Sequence, residues 1–136
     1  MSATVLYLDS SAILRALLEN GLSPELEAQI AQAHILVTSR LTLVECARAL
    51  LRLRHDARIP EIRMADLARE LDALWARCDL WELTPAVCEL AAAVAPAKAL
   101  RSLDALHLAT FLLARRRLGS VELVTADLRL REAASG

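Results

Sequence analysis

Four carboxylates are spaced so that they could act together: Asp9, Glu45, Asp104 and Asp127. Asp9 ends the apolar run Val5–Leu8 and is followed by two hydroxyls, Ser10 and Ser11. Glu45 comes shortly after a second apolar stretch, HILVTS at 34–39. Asp104 stands at the head of SLDALHLATFLL, and Asp127 closes VELVTAD at 121–127. Four such groups within several ångströms of one another repel strongly, and some stay protonated unless a cation joins them. Oxygen donors with no His or Cys partner suit Mg2+ or Mn2+. An acidic cluster of this kind is the usual protein part of metal-assisted phosphodiester hydrolysis. The metal lowers the pKa of a bound water and stabilises charge on the attacking and leaving oxygens.

Each acid taken alone has an ordinary reading. Asp9 and Asp127 read as helix N-caps, Asp104 as a first-turn acid that compensates the helix dipole, and Glu45 as a solvated helix residue beside Arg48 and Arg52. The elements that position them decide between the readings. A short apolar run that stops in a carboxylate and two hydroxyls suits a buried strand better than a helix, so Val5–Leu8 is a strand. Ser10 or Ser11 then caps a helix over 12–20, which Gly21 ends. Ser23-Pro24 opens a helix over about 24–33, and 34–39 is a second strand. Ser39 or Thr42 caps a helix over about 41–56, whose Leu43, Val44, Ala47, Leu50 and Leu51 recur at helical spacing. A helix over about 61–77 follows Pro60, and DLWELT at 79–84 alternates as a strand. Pro85 opens a helix to about 95. Ser102 caps a helix over about 103–118, closed by Gly119, and a last helix over about 127–134 follows the strand at 121–127.

Strands alternating with helices, with no two strands close enough for a hairpin, imply an α/β fold with a parallel sheet and helices on both faces. Such sheets bind ligands at the carboxyl ends of their strands. Asp9, Glu45 and Asp127 fall at strand–helix junctions on that edge, and Asp104 begins a helix whose start can lean over it.

Composition narrows the class. With 136 residues, 56% apolar and 24% charged, the chain is expected to form one domain, 1–136, with a proper core. A net charge of −1 points neither to nucleic acid nor to a membrane, although the arginines are clustered. Cys46, Cys78 and Cys88 are odd in number, without a C-x-x-C, and read as buried free thiols of a reducing cytosol. No signal peptide or 18-residue apolar span is visible, which fits a cytoplasmic protein. A phosphate-binding NTPase is excluded by the lack of a Gly-rich loop. A phosphoacceptor domain needs a second acid beside Asp9 and an Asp after the third strand; Ser10, Ser11 and Leu83-Thr84-Pro85 stand there instead. A phosphatase of the haloacid-dehalogenase kind wants an Asp where Ser11 is.

LDSSAIL, SRLTLVECARAL, SLDALHLATFLL and ELVTADLRL, in this order and spacing, resemble the PIN-domain ribonucleases, and most closely the VapC toxins of type II toxin–antitoxin pairs. The resemblance covers essentially the whole chain. It implies a PIN-like three-layer α/β/α sandwich with a short parallel sheet of four or five strands. It implies a Mg2+- or Mn2+-dependent endoribonuclease, with Asp9, Glu45, Asp104 and Asp127 as the acidic site and Asp9 and Asp104 as principal metal ligands. It further implies a homodimer and a cognate VapB-like antitoxin that lies over the active-site groove. The alternative is a catalytically silent RNA-binding or protein-interaction module.

Ser10 and Thr125 are placed to hydrogen-bond the acids and orient them, with helix capping as the ordinary reading of Ser10. His107, at i+3 from Asp104, reads as a partly buried structural histidine. Arg48 and Arg52 share a helix with Glu45, and Arg115 and Arg116 belong to the sharpest basic run; these four are the candidate RNA contacts, against the plainer reading of solvated helix faces.

Overall fold

The computed structural model describes residues 4–18 and 24–135. Its elements run β1 (Val5–Leu8), α1 (Ser10–Leu18), α2 (Pro24–Gln32), β2 (Ile35–Ser39), α3 (Arg40–His55), α4 (Glu61–Arg77), β3 (Cys78–Trp81), α5 (Pro85–Ala93), α6 (Ser102–Leu118), β4 (Glu122–Val124) and α7 (Leu128–Ser135). The expected stop at Gly21 and start at Ser23 lie outside the described residues.

The strands pair in the order β3-β2-β1-β4, every pair parallel. Four strands thus make the sheet among the described residues. Because side chains alternate across a strand, Val5 and Tyr7 of β1 point to one face, and Leu6 and Leu8 to the other. Val5 and Tyr7 pack with Val37, with Leu108, Phe111 and Ala114 of α6, and with Leu130 of α7. Leu6 and Leu8 pack with Leu36, with Ala12 and Ile13 of α1, with Cys46 of α3 and with Leu71 of α4. Both faces of β1 are therefore covered, which is why its sequence is continuously apolar rather than alternating. The result is the α/β/α sandwich. No described helix is long and apolar enough to cross a membrane.

The differences from the expected boundaries have local causes. Helix α1 begins at Ser10, not 12, because Asp9 caps it: the Ala12 N–H donates to Asp9 Oδ1 at 3.0 Å. Ser39, not Thr42, caps α3, accepting from the Leu41 N–H. Thr42 is buried and accepts instead from Thr38 Oγ1. Strand β3 ends at Trp81 because Thr84 already caps α5, whose first residue is Pro85. Ser102 lies inside α6; the cap position belongs to Arg101, which makes no side-chain cap bond. Strand β4 stops at Val124, since the Thr125 and Asp127 side chains take part in the next turn. Gly119 closes α6 at φ +92, a backbone conformation that L side chains rarely adopt. All three cysteines are free, but only Cys46 is buried; Cys88 is exposed. Burial pushes the Cys46 thiol up to about 12, so it is not a nucleophile at neutral pH.

Strand order reverses between β1 and β4. In open parallel sheets the crevice outside the strand ends at such a switch point is where ligands bind. Asp9 leaves β1 and Asp127 follows β4 at that place.

Candidate active site

Asp9 is buried at the floor of the switch point, 3% exposed. Its Oδ1 accepts from the Ala12 N–H and faces Ser11 Oγ at 2.8 Å; its Oδ2 accepts from Thr125 Oγ1 at 2.6 Å and faces Ser11 Oγ at 2.9 Å. One Ser11 hydroxyl has a single proton, so it serves one Asp9 oxygen at a time. Ser11 Oγ in turn accepts from the Ala126 N–H, and Thr125 Oγ1 from the Asp127 N–H. These bonds tie the turn after β4 to the start of α1. Thr125 was expected to orient an acid and does bond Asp9. Ser11, which the sequence offered only as a cap, is the more connected residue.

Glu45 stands in α3, on the wall of the cleft. Its Oε1 accepts from Ser10 Oγ at 3.0 Å and from His107 Nε2 at 2.6 Å. His107 is 2% exposed, and its Nδ1 lies 2.9 Å from the Tyr7 hydroxyl. Burial, and then the charge of Asp9, push the Tyr7 hydroxyl pKa far above its ordinary value, so the phenol keeps its proton. The Glu45 carboxylate can only accept, so the donor at that end is Nε2–H, and Nδ1 of the neutral imidazole is left to accept from the Tyr7 hydroxyl. His107 is not merely packed; it holds one of the four acids. Its i+3 spacing from Asp104 was visible, but its bond to Glu45, 62 positions away, was not.

Glu45, Asp104 and Asp127 line one cleft of about 460 Å3, together with Arg101, Ser102, Leu103 and Arg129. Asp127 caps α7, its Oδ1 accepting from the Arg129 N–H at 2.9 Å and more weakly from the Leu130 N–H at 3.4 Å. Asp104 occupies the first turn of α6. Its pKa is raised, first by burial and then by the charge of Asp127, against the pull of the Arg101 N–H and His107. Three of the four acids thus sit at helix starts, where the dipole favours negative charge. Capping and membership of the cleft are compatible roles for Asp127, and the cap role of Asp9 is likewise real. Among the described residues, no three His, Cys, Asp or Glu side chains are already gathered closely enough to hold a metal ion.

The arginines divide by place. Arg101, which sequence reasoning did not select, and Arg129, which with Arg131 forms a third basic group of the sequence, line the cleft, and among the described residues neither guanidinium forms an ion pair. Their proximity in sequence to Asp104 and Asp127 was the available signal. Arg48 and Arg52 are exposed on α3, three and seven residues beyond Glu45 and so along the same helix face. Arg115 and Arg116 are in the last turn of α6, some 16 Å along its axis from Asp104. Arg115 lies over the Phe111 ring, 5.1 Å from its centroid. None of these four lines the cleft.

The sequence matches the PIN domain over residues 6–136. It is 36% identical over 131 residues to a Mycobacterium tuberculosis protein, Ribonuclease VapC46, covering 95% of this chain and 89% of that one. A second relative from the same species, Ribonuclease VapC35, is 40% identical over 98 residues, covering 72% of this chain and 64% of its own. The crystal structure of PAE2754 from Pyrobaculum aerophilum superposes with a TM-score of 0.66 at 22% identity, covering 98% of this chain and 81% of that one. The chain belongs to the PIN-domain family and, within it, to the VapC group.

Proposed function

We propose that this protein is a divalent-metal-dependent endoribonuclease, the toxin of a type II toxin–antitoxin pair. The observation that carries the reading is the cleft at the switch point, lined by Glu45, Asp104 and Asp127 and flanked by Arg101 and Arg129. The names of the relatives, ribonucleases both, supply the substrate class. By donor chemistry the acids fit Mg2+ or Mn2+: all are carboxylates, and Asp104 and Asp127 are close enough to repel. Asp104, Asp127 and Glu45, which line the cleft, and Asp9, which is buried and does not, would hold the cation. When bound, it supplies an activated water and stabilises charge on phosphate oxygens.

The chain's own groups do the rest. Arg101 and Arg129 take the phosphates on either side of the cut bond. Glu45 Oε2 accepts no protein hydrogen bond among the described residues, so it is the oxygen left free to face the cleft. Asp9 anchors the turn that carries Asp127 through Ser11 and Thr125. Family likeness also supports a VapB-like antitoxin, a homodimer and a cytoplasmic location. The competing reading, a silent RNA-binding or interaction module, draws on the hydrogen-bond saturation of Asp9.

The test is incubation of purified protein with total RNA in Mg2+, Mn2+ and EDTA, wild type beside Asp104→Asn, with ends mapped by sequencing. Discrete cuts that need metal and vanish in the variant are expected. No cuts in any arm from folded, antitoxin-free protein would favour the silent module.

A further inference from the structure

The buried chain Tyr7–His107–Glu45 caps no helix; it starts from Tyr7 in the core and ends in the cleft. His107 is 2% exposed and Tyr7 0%, and the buried polar side-chain atoms of both have partners. The imidazole stands edge-on to Tyr7, ring centroids 6.1 Å apart, and Tyr7 is in turn edge-on to Phe111. The ring is therefore gripped by packing as well as by two hydrogen bonds. Both donors to Glu45, Ser10 Oγ and His107 Nε2, fall on the same oxygen, Oε1. That leaves Oε2 without a hydrogen-bond partner among the described residues, on a residue that lines the cleft.

We propose that His107, clamped from behind by Tyr7, is a positioning residue that fixes Glu45 through Oε1 and so presents Oε2 to the cation and RNA of the cleft. The role is one of orientation and not of proton transfer. A Glu side chain at a cleft wall otherwise samples several rotamers, and fixing it beforehand removes that ordering from the binding step. Tyr7 sets which imidazole nitrogen carries the proton. A hydroxyl donating to Nδ1 leaves Nε2–H as the donor to the carboxylate, and partners at this remove from a metal ligand typically contribute about 10–100-fold in affinity or activity. The proposal rests on the metal-dependent reading above.

Its test compares His107→Leu with His107→Gln, which are similar in volume, but only Gln can donate to Glu45. Mn2+ binding is read by calorimetry on folded protein, and cleavage is read separately. His107→Leu is expected to weaken Mn2+ binding roughly tenfold. His107→Gln should recover most of that loss, and Tyr7→Phe should give an intermediate loss. In metal-free wild type, long-range 1H–15N correlation should find the His107 proton on Nε2 and none on Nδ1, a preference that relaxes in Tyr7→Phe and in Glu45→Ala. Wild-type Mn2+ affinity in folded His107→Leu, a Gln variant as weak as Leu, or a proton on Nδ1 in wild type would overturn the proposal. Should His107→Leu not fold, Tyr7→Phe and the wild-type spectrum carry the test. If wild type neither binds Mn2+ nor cuts RNA, the functional reading fails, while the spectrum and its response to Glu45→Ala still decide whether His107 holds Glu45.

Discussion

Asp9 and the pair Asp104–Asp127 are both acidic and both at helix starts, yet they are held in opposite ways. Asp9 is 3% exposed, and hydroxyl or amide donors approach both of its oxygens. Asp104 and Asp127 are half-buried on the cleft wall, and the charge of Asp127 disfavours that of Asp104. The first arrangement is rigid and already satisfied; the second is strained by repulsion and open to a cation. A site built this way has one fixed anchor and two groups that a ligand can draw together.

The sharpest way to break that contrast is to neutralise one acid of each kind. Asp9→Asn and Asp104→Asn are both expected to lower RNA cleavage by about 100-fold or more, the scale on which removal of one electrostatic interaction acts in a water-poor site. Their stabilities should diverge. Asp9→Asn puts an NH2 group where hydroxyl donors converge and is expected to cost about 1.5–3 kcal/mol in urea unfolding. Asp104→Asn removes a repulsion and should be neutral or stabilising. Equal destabilisation by both would erase the distinction.

The contrast also explains what could be read from the sequence. A polar stop after β1 and after β4 was enough to place Asp9 and Asp127 near one edge, because strand polarity fixes where strand ends go; Glu45 and Asp104 come from the helices α3 and α6. Helix α4 was legible to the residue, since its apolar positions recur regularly between Pro60 and Cys78. Strands β3 and β4 were read too long, because Thr84 and Thr125 carry β-favouring side chains that tertiary structure uses for capping and for holding Asp9. The roles of Ser11 and His107 were not legible. Their partners lie 115 and 62 positions away, and only the closed sheet brings them together.

A second, smaller effect sharpens the anchor. Thr125→Val keeps the shape but removes the donor to Asp9 Oδ2 and the acceptor for the Asp127 N–H. A loss of about 1–2 kcal/mol in unfolding free energy is expected, together with reduced cleavage.

Acidity tests the open pair. A carboxyl whose folded-state pKa is raised binds its proton more tightly folded than unfolded. Its contribution to stability is therefore present below the ordinary Asp range and is lost as pH rises through the folded value. The raised pKa of Asp104 predicts that wild-type stability, relative to Asp104→Asn, declines as pH rises from the ordinary Asp range, about 4, through the higher folded-state value. Urea midpoints across that range check this, and a constant difference would contradict it.

The arginines give the smallest effects and the cleanest spatial contrast. Arg101→Ala with Arg129→Ala should weaken RNA binding and lower the salt dependence by about 0.7 in log–log slope for each phosphate no longer neutralised. Arg115→Ala with Arg116→Ala, at the far end of α6, should change binding less than about twofold. Filter-binding titrations over a range of salt compare the two pairs.

The most direct measurement is the thermal unfolding midpoint as a function of Mn2+ concentration for wild type, Asp104→Asn and Asp127→Asn. A cation that binds only the folded cleft raises stability by about 2.7 kcal/mol at a hundred times its Kd. The account predicts a Tm that climbs with Mn2+ in wild type and stays flat in both variants. A wild-type Tm indifferent to Mn2+, or a rise that survives in both variants, would contradict the claim that these acids form one cation-completed site.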